Sequence, residues 1–489
     1  MNKRINILII GMGNHAQRIY IPTLIKMSKN MPMSVIGIDK IESKPNIEKT
    51  LEKKKLNLKT YFIKNLSNNL SKKTQKYLTK LAKSHDINGV IIATPPDCHK
   101  TYATWALENN FHILMDKPVT TRKHCSTSQT QAKKLVKDYK ELVAKYESCY
   151  QQKKTVFMLN TQRRYEVGYL YVFKLIKEAT DKFNIPVTSI QSMHADGVWI
   201  FPDEIVEQHC HNYYNGNGKC SHSGFHLFDI VWQFYRAGYV KNKFADSAEV
   251  FSSFIEPKGT LTQLNQSDYY KLFGKEYNNR KRKSDKQLRQ TFDGYGENDT
   301  FSIVRLLNKG DNVCNISINL MHNSVSERNW VLPSPDLYKG NGRIKHQSYY
   351  IQQGPFQSIQ IHNYQSKSKQ EKNNASDYGV GGNNHFDIYV FRNPKMFGGD
   401  TKNFAKYSLN DLDINNELDD TRLYHETAKE TIVKEFIDAI LSKVRRKRLK
   451  IDIATYQIPV QIMSSIYQSN ARYKNKLNPL VKFKINEKK

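Results

Sequence analysis

Three small residues near the start of the chain have the spacing of a phosphate-binding turn. Gly11, Gly13 and Ala16 follow an apolar run, and Asn14 lies within the same turn. In this spacing the first glycine permits a tight turn from a strand into a helix, and the second lets the backbone approach a pyrophosphate. The small third residue lets the helix lie close to the strand, with its N-terminus facing the phosphates. We therefore predict that these four residues bind a dinucleotide.

An acidic residue, Asp39, ends the next apolar segment, residues 34–38. A carboxylate at that strand end can accept hydrogen bonds from both ribose hydroxyls of an adenosine, and it would repel the 2′-phosphate of NADP. We therefore expect NAD as the cofactor. Lys40 follows at once and can neutralise the repulsion, so NADP stays open. A solvated turn after a strand is the alternative interpretation of Asp39.

A lysine before a proline follows a predicted strand at the edge of the sheet where ligands bind. An apolar strand ends in Thr94 and Pro95, a helix begins at His99, and a further strand leads into Lys117 and Pro118. Open α/β sheets bind their ligands at the carboxyl ends of parallel strands. Pro118 restricts the lysine to extended conformations, and a cis bond would direct the ammonium group into the cleft. On position alone, a surface lysine is the alternative.

The segment ATPPDCHKTYATWALENNFHILMDKP, residues 93–118, resembles the Gfo/Idh/MocA family of nicotinamide-dependent oxidoreductases. That family has a strand-end Thr-Pro, a helix, and then a Glu-Lys-Pro or Asp-Lys-Pro signature. The resemblance implies that Lys117 contacts the substrate and assists proton movement at the reacting carbon. It also implies that the nicotinamide lies near Thr94, Pro95 and Lys117. We include His99 among the candidate cofactor-binding residues.

The resemblance continues at residues 218–229, GKCSHSGFHLFD, which are similar to the family's D-x-G-x-H-x-x-D helix start. Gly224, His226 and Asp229 match it. By resemblance His226 has the general acid/base role, for which an imidazole that titrates near neutral pH is suited. His222 stands where the family usually has aspartate; it can exchange a hydrogen bond with the same hydroxyl but supplies no fixed negative charge. This departure opens an alternative, a protein that binds the dinucleotide without turnover.

Arg163, Arg164 and Tyr165 follow the last predicted strand of the first domain and look like the family's Arg-Arg-Tyr turn. With Asp229 they are our candidates for substrate binding, at the entrance to the site. Surface charges are the alternative interpretation of the two arginines.

Metal-capable side chains are dense around the second motif. Imidazole and thiolate are the usual zinc ligands, and the two histidines of the motif, four residues apart, would share a helix face. No Cys-x-x-Cys or His-Glu-x-x-His pattern organises the group, so we predict no metal site. We expect His209 and His211 to lie in a pocket-lining loop or on the surface. The group is His209, Cys210, His211, Cys220, His222 and His226.

Alternating strands and helices over residues 1–161 predict an α/β domain, a doubly wound parallel sheet of the NAD(P)-binding Rossmann type, with a long polar helix at 122–152. Alternating strands further on, at 187–194 and 315–320, predict that residues 162–489 form an α+β domain with a large, mostly antiparallel open sheet.

Two polar stretches, about 265–300 and 335–385, interrupt this second domain, and we predict long loops there that cap the site or contact a partner. Near the end of the chain, an amphipathic helix is predicted at 425–441 and a closing helix at about 453–469.

The composition limits the class of protein. No apolar stretch is long enough to cross a bilayer, and six cysteines without regular spacing indicate a reducing compartment, so we expect a cytoplasmic protein. The net charge of +30 favours acidic ligands. A nucleic-acid partner is not expected, because no basic stretch is interleaved with aromatic residues. A polyanion-binding protein remains a second alternative.

Together with the glycine turn and Asp39, the family resemblance implies an NAD(P)-dependent oxidoreductase of CH–OH groups. It would transfer a hydride between the nicotinamide and a carbinol carbon of a sugar, polyol or nucleotide-sugar, and a phosphorylated substrate would suit the positive charge. Lys117 and His226 would handle the substrate hydroxyl and its proton. Because members of the family often pair through the open sheet, the resemblance implies a homo-oligomer.

Overall fold

The computed structural model describes residues 4–64, 66–207, 213–322, 324–326, 344–366, 374–412 and 424–486. The chain forms two compact units. The first consists of Met1–Thr121, Val136–Glu166 and Tyr424–Gln457, and the second of Arg122–Leu135, Val167–Leu423 and Ile458–Lys489.

The described strands are, in chain order, β1 (Ile5–Ile10), β2 (Met33–Lys40), β3 (Lys59–Ile63), β4 (Gly89–Ile92), β5 (His112–Asp116), β6 (Phe157–Asn160), β7 (Ser189–Ala195), β8 (Ser247–Ile255), β9 (Asp299–Asn308), β10 (Asp311–Met321), β11 (Lys345–Gln353), β12 (Gln357–Gln365), β13 (Phe386–Arg392), β14 (Phe404–Tyr407) and β15 (Val481–Lys484). The α-helices are α1 (Ile21–Ser28), α2 (Lys44–Lys53), α3 (Lys72–Ser84), α4 (His99–Glu108), α5 (Gln129–Lys153), α6 (Val167–Phe183), α7 (Pro202–Glu207), α8 (Gly224–Ala237), α9 (Pro257–Gln263), α10 (Gln266–Phe273), α11 (Lys275–Arg280), α12 (Asp285–Thr291), α13 (Pro394–Phe397), α14 (Leu409–Leu412), α15 (Tyr424–Ile440) and α16 (Gln457–Lys474).

A parallel sheet of six strands forms the centre of the first unit, in the order β3-β2-β1-β4-β5-β6. Every residue of the central strands β1 and β4 is buried, as expected for strands that are covered on both faces. The chain leaves β1 through a glycine turn and a π-helical turn, Ala16–Tyr20, that leads into α1. The predicted doubly wound sheet is confirmed.

The first unit also takes a segment from far along the chain, which differs from the predicted boundary at residue 161. Helix α15 covers the sheet: a Cβ built on Gly89 would lie 2.8 Å from Cδ1 of Ile440 and 3.5 Å from Cζ of Phe436. Strand β6 also contacts this late segment, since Leu159 donates its N–H to the carbonyl of Ile451. Apolar residues on one face of α15 therefore complete this core.

The second unit contains a sheet of nine strands in the order β14-β13-β12-β11-β7-β10-β9-β8-β15. All its pairs are antiparallel except β7 with β10, which run parallel. This confirms the predicted, mostly antiparallel sheet. In the described ranges, no helix has the length and apolar character that crossing a bilayer requires.

The predicted loop at 265–300 is wrong, because this stretch folds into α10, α11 and α12 before β9 begins. Two capping boxes start helices here: Asn265 with Asp268 for α10, and Ser284 with Gln287 for α12. Each box satisfies N–H groups that the first turn of a helix leaves without partners.

These short helices have an aromatic core of their own. The ring of Phe201 lies 5.5 Å from that of Tyr269 and 5.0 Å from that of Tyr277, both nearly perpendicular to it. All three side chains are at most 2% exposed. Burial of the aromatic residues, which the polar composition concealed, holds the insertion in an ordered form.

The second predicted loop, 335–385, contains β11 and β12, and its residues 335–343 and 367–373 lie outside the described residues. Buried and half-buried positions alternate in β11 from Gln347 onward and along the whole of β12. Their buried positions include glutamines and an asparagine, so the sequence reads as a polar loop. Helix α5 begins at Gln129 and not at 122, because Ser128 Oγ accepts the N–H of Gln131 at the first turn.

Candidate functional site

The glycine turn after β1 packs closely against the end of β4 at Gly11 and leaves empty space beside Gly13. Gly11 has φ +89°, and a Cβ there would lie 2.7 Å from the carbonyl oxygen of Ala93. A Cβ on Gly13 would meet no atom within 4 Å. Two hydrogen bonds hold the turn. Gly11 donates its N–H to the carbonyl of Ile38 at 2.9 Å, and the side-chain amide of Gln17 donates to the carbonyl of Met12. The open space is where a pyrophosphate can approach the backbone.

Asp39 lies beside this turn at the end of β2. Its Oδ2 accepts the N–H of Met12 at 2.6 Å, and its Oδ1 accepts the N–H of Lys40 at 2.6 Å. An ionised carboxylate has about four lone-pair sites, so each oxygen keeps capacity for a ribose hydroxyl. The position and the chemistry of Asp39 fit the adenosine side of NAD.

Thr94 follows β4 at the same edge of the sheet. Thr94 is 8% exposed, and its hydroxyl oxygen has no hydrogen-bond partner among the described residues. A buried polar atom without a partner is rare in folded proteins and suits a site that a ligand's polar atom completes. Pro95 follows directly and continues into a 3₁₀ turn before α4.

His99 connects this strand end to the loop that carries Lys117. The bond between Lys117 and Pro118 is cis, as the sequence analysis considered. Nδ1 of His99 lies 2.7 Å from the carbonyl oxygen of Pro118, and Nε2 lies 3.0 Å from that of Thr94. The imidazole is fully buried, and burial lowers its pKa. This geometry favours a positioning role for His99 over the direct cofactor contact that we predicted.

A network around Asp116, the residue before Lys117, was missed by the sequence analysis. Its Oδ2 lies 3.0 Å from Nδ1 of His15 in the glycine turn, and its Oδ1 accepts the hydroxyl of Tyr20. Asn160, at the end of β6, donates to the Tyr20 oxygen at 2.6 Å. Although burial raises the pKa of Asp116, the neighbouring His15 and the hydrogen bonds hold it below its ordinary value. The partners lie up to 140 positions apart, so no local pattern could show them.

In the second unit, the motif at 218–229 forms the approach to α8 and its first turns. A Cβ on Gly224 would lie 2.7 Å from Cδ1 of Leu320, so the glycine is required for packing. His226 lies in the first turn of α8 and is 8% exposed, and Asp229, one turn later, is fully buried. Lys117 belongs to the first unit, and His226 to the second.

His222 is also buried and is bonded at both ring nitrogens. Nδ1 lies 3.0 Å from Oγ of Ser223, and Nε2 lies 3.2 Å from the hydroxyl of Tyr213. The same hydroxyl is 2.9 Å from Nδ1 of His322, a histidine that the sequence analysis did not single out. The position where the family usually has an acid is therefore part of a hydrogen-bonded group.

A buried ion pair adjoins that group. Lys219, fully buried, donates to Oδ2 of Asp196, which is 4% exposed and follows β7. Ser223 Oγ donates to the same carboxylate oxygen at 3.0 Å. The two charged residues are 23 positions apart, so no short motif predicts their pairing.

A second buried carboxyl group lies beneath the motif. Glu297 Oε1 accepts the N–H of Cys220 at 2.8 Å and the hydroxyl of Tyr467 at 3.0 Å. Its Oε2 has no hydrogen-bond partner in the described part of the chain. Burial raises the pKa of Glu297 to about 7.

The Arg-Arg-Tyr turn is a 3₁₀ turn, Gln162–Arg164, whose arginines are at most 4% exposed, so the surface interpretation is wrong. Arg164 donates to the carbonyl of Lys450 at 2.6 Å, and its guanidinium lies 4.1 Å from the ring centre of Tyr456. Tyr165 donates to the carboxylate of Glu435. These contacts give Arg164 and Tyr165 an internal role in the first unit, and we leave them out of the substrate site.

Of the metal-capable group, residues 209–211 lie outside the described residues. In the part of the chain that the structure covers, no three or more His, Cys, Asp or Glu side chains are placed to hold a metal ion.

The strand order, the glycine turn and the acidic residue after β2 define the first unit as a dinucleotide-binding Rossmann domain. Residues 5–146 match the Gfo/Idh/MocA family model, described as an oxidoreductase family with an NAD-binding Rossmann fold. The predicted resemblance and the predicted cofactor, NAD, are confirmed over this segment.

Solved structures share the fold over nearly the whole chain. An oxidoreductase from Agrobacterium radiobacter, in complex with NAD+, L-tartaric acid and magnesium, has a TM-score of 0.55 at 9% identity, covering 99% of this chain and 98% of that one. The apo scyllo-inositol dehydrogenase from Lactobacillus casei has a TM-score of 0.53 at 12% identity, with 99% of each chain covered. An oxidoreductase domain protein from Kribbella flavida has a TM-score of 0.57 at 13% identity, with 99% and 100% covered. No curated protein matches the chain by sequence.

Proposed function

We propose that the protein is an NAD-dependent dehydrogenase or reductase that acts on a CH–OH group of a sugar, polyol or nucleotide-sugar. The observation that carries the proposal is the open turn at Gly13 beside the Asp39 carboxylate. The solved structures with tartaric acid and the inositol dehydrogenase support a polyhydroxylated substrate. NADP should bind more weakly than NAD, because the Asp39 carboxylate repels its 2′-phosphate, and Lys40 beside it neutralises part of that repulsion.

In this proposal the bound NAD supplies the hydride chemistry, and the protein supplies orientation and proton handling. The Lys117 ammonium group donates to the substrate oxygen and stabilises the negative charge that develops there when the proton leaves. His226 takes that proton in oxidation and returns it in reduction. His99 positions the loop of Lys117 by bonding to Thr94 and Pro118.

A matched pair of glycine variants tests the cofactor site. Gly13→Ala adds a methyl group to empty space, so we expect an unchanged midpoint of thermal unfolding and an NADH affinity at least tenfold weaker by calorimetry. Gly379→Ala, whose Cβ would be 3.5 Å from the nearest atom, is the control in the second unit and should change neither. Asp39→Ala should weaken NADH binding more than NADPH binding. Failure of the wild type to bind either nucleotide would refute the proposal.

Turnover distinguishes an enzyme from the inactive dinucleotide-binding alternative. We expect Lys117→Met and His226→Gln each to lower kcat by about 10²-fold or more on an active polyol, with the NADH Kd unchanged. Lys123→Met, an exposed lysine nearby in sequence, is the control and should keep full activity. NADH binding without turnover on any of a panel of sugars, polyols and their phosphates would favour the alternative.

We also propose that the protein is a homo-oligomer that associates through the open face of the nine-stranded sheet. Strand register places five large apolar side chains on that face, each 39–46% exposed: Phe251, Phe301, Ile303, Phe391 and Phe404. Exposed apolar surface of this kind marks an interface. Light scattering should give a multiple of 57.0 kDa for the wild type and a smaller species for Phe301→Asp. A monomeric wild type would refute this part.

A further inference from the structure

A chain of hydrogen bonds in the second unit links a buried carboxylate to two histidines. Asp196 accepts from Ser223 at 3.0 Å, and Ser223 Oγ lies 3.0 Å from Nδ1 of His222. Tyr213 then joins Nε2 of His222 (3.2 Å) to Nδ1 of His322 (2.9 Å). All five residues except Ser223 are buried, so bulk water does not compete for these bonds.

The available protons give this chain a direction. Asp196 contacts the Lys219 ammonium, and a carboxylate paired in this way only accepts hydrogen bonds. Ser223 has one proton and donates it to Asp196, so its oxygen accepts the N–H of His222 Nδ1. When the ring of His222 is neutral, Nε2 therefore presents a lone pair to the hydroxyl of Tyr213. That hydroxyl, having donated its only proton, accepts from His322.

One serine hydroxyl separates the Asp196 carboxylate, which is paired with Lys219, from residue 222, the position where the family usually has an acid. Residue 222 is an aspartate in the resembled motif, and here it is a histidine that by itself has no fixed charge. Asp196 reaches His222 through a single hydroxyl, and in a buried site such a bond is electrostatically stronger than in water. Stability alone does not account for the ion pair, because buried pairs are often no more stabilising than apolar residues of the same volume.

We propose that Asp196, acting through Ser223, replaces the missing acid of the motif: it fixes His222 as the Nδ1–H tautomer and stabilises the imidazolium formed when Nε2 takes up a proton. Asp196 and Ser223 are thus positioning residues for His222. Tyr213 donates to Nε2 of the neutral ring, and the proton that forms the imidazolium is taken up from the solution as the pH falls. The inference rests on the proposed function for its use in turnover, but not for the tautomer itself.

The tautomer is measured without substrate or cofactor, by ¹⁵N NMR of protein labelled at histidine, with the His222 signals assigned from a His222→Gln variant. We expect Nδ1–H, Nε2-unprotonated signals in the wild type and in Ser223→Thr, which keeps the hydroxyl. Ser223→Ala should shift the ring towards the other tautomer. An Nε2–H tautomer in the wild type, or no change in Ser223→Ala, would overturn the proposal whether or not the protein is an enzyme.

Activity tests the second half. We expect Ser223→Ala to lower kcat by 10- to 100-fold, with restoration in Ser223→Thr and an unchanged NADH Kd. In Ser223→Ala, the pKa of His222 obtained from the plot of kcat against pH should be lower than in the wild type, because the carboxylate no longer stabilises the imidazolium. Asp196→Asn removes the carboxylate that pairs with the buried Lys219 ammonium. The double variant Asp196→Asn/Lys219→Met therefore replaces the single variant, because it removes both charges together. An altered tautomer with unaltered kcat would refute the catalytic role.

Discussion

The buried carboxyl group of Glu297 makes the stability of the protein depend on pH. Its pKa is about 7 in the folded protein, against 4.5 for an ordinary glutamate, because burial disfavours the charged form. Between these two values the unfolded chain has released the proton and the folded chain still holds it. The free energy of unfolding therefore falls as the pH rises through this window and is level above it.

The size of the effect follows from the same two values. A shift from 4.5 to about 7 corresponds to about 3 kcal/mol at 1.36 kcal/mol per pKa unit. Glu297→Gln keeps the shape and the acceptor that Cys220 and Tyr467 use, but it does not ionise. Relative to the wild type, the variant should gain about 3 kcal/mol between pH 4.5 and pH 8, or roughly 5 °C in the midpoint of thermal unfolding.

The assay is thermal unfolding of both proteins at half-unit steps from pH 4.5 to pH 8.5. Glu52→Gln, at an exposed position on α2, is the control and should give a curve parallel to that of the wild type. If the curves of the Glu297→Gln variant and the wild type are also parallel, Glu297 is ionised in the folded protein at neutral pH, and the reasoning from burial fails.

Three further variants test packing. Gly11→Ala should lower the free energy of unfolding by about 3 kcal/mol, measured by urea denaturation, because its Cβ would collide with the backbone of Ala93; a loss within 0.5 kcal/mol would contradict the turn geometry. Phe201→Ala should cost about 3–5 kcal/mol and increase proteolysis between residues 257 and 291, whereas cleavage equal to that of the wild type would show that the insertion folds without this ring. Arg446→Met should cost about 3 kcal/mol, because it leaves Asp452 buried without its cation, and a neutral result by thermal unfolding would refute that pairing.

The sequence predicted the features that depend on local pattern. The glycine turn, the acidic end of β2 and the Lys117–Pro118 loop were found because each is a short motif next to an apolar strand. The four-residue capping box at Ser284 was equally local and could have revealed α12, but the polar composition favoured a loop. Here composition was a weaker guide than the caps and the few buried aromatic rings.

Contacts between distant residues could not be predicted in this way. The pairing of His15 with Asp116 and that of Asp196 with Ser223 join segments 101 and 27 positions apart, and no residue pattern indicates which partner a buried polar group will meet. The burial of Arg164 belongs to the same class, since its carbonyl partner is 286 positions away.

The late return of the chain to the first unit has a consequence for synthesis on the ribosome. The last strand of the parallel sheet ends at Asn160. Helix α15, which packs over Gly89 in the central strand β4, ends only at Ile440. At about 5–20 residues per second, the ribosome needs roughly 15–55 s to make the intervening 280 residues. During that time the nascent sheet presents an uncovered apolar surface, which is the kind of surface that chaperones bind. A fragment that stops at residue 161 would keep that surface permanently, so we expect it to aggregate where the full chain does not.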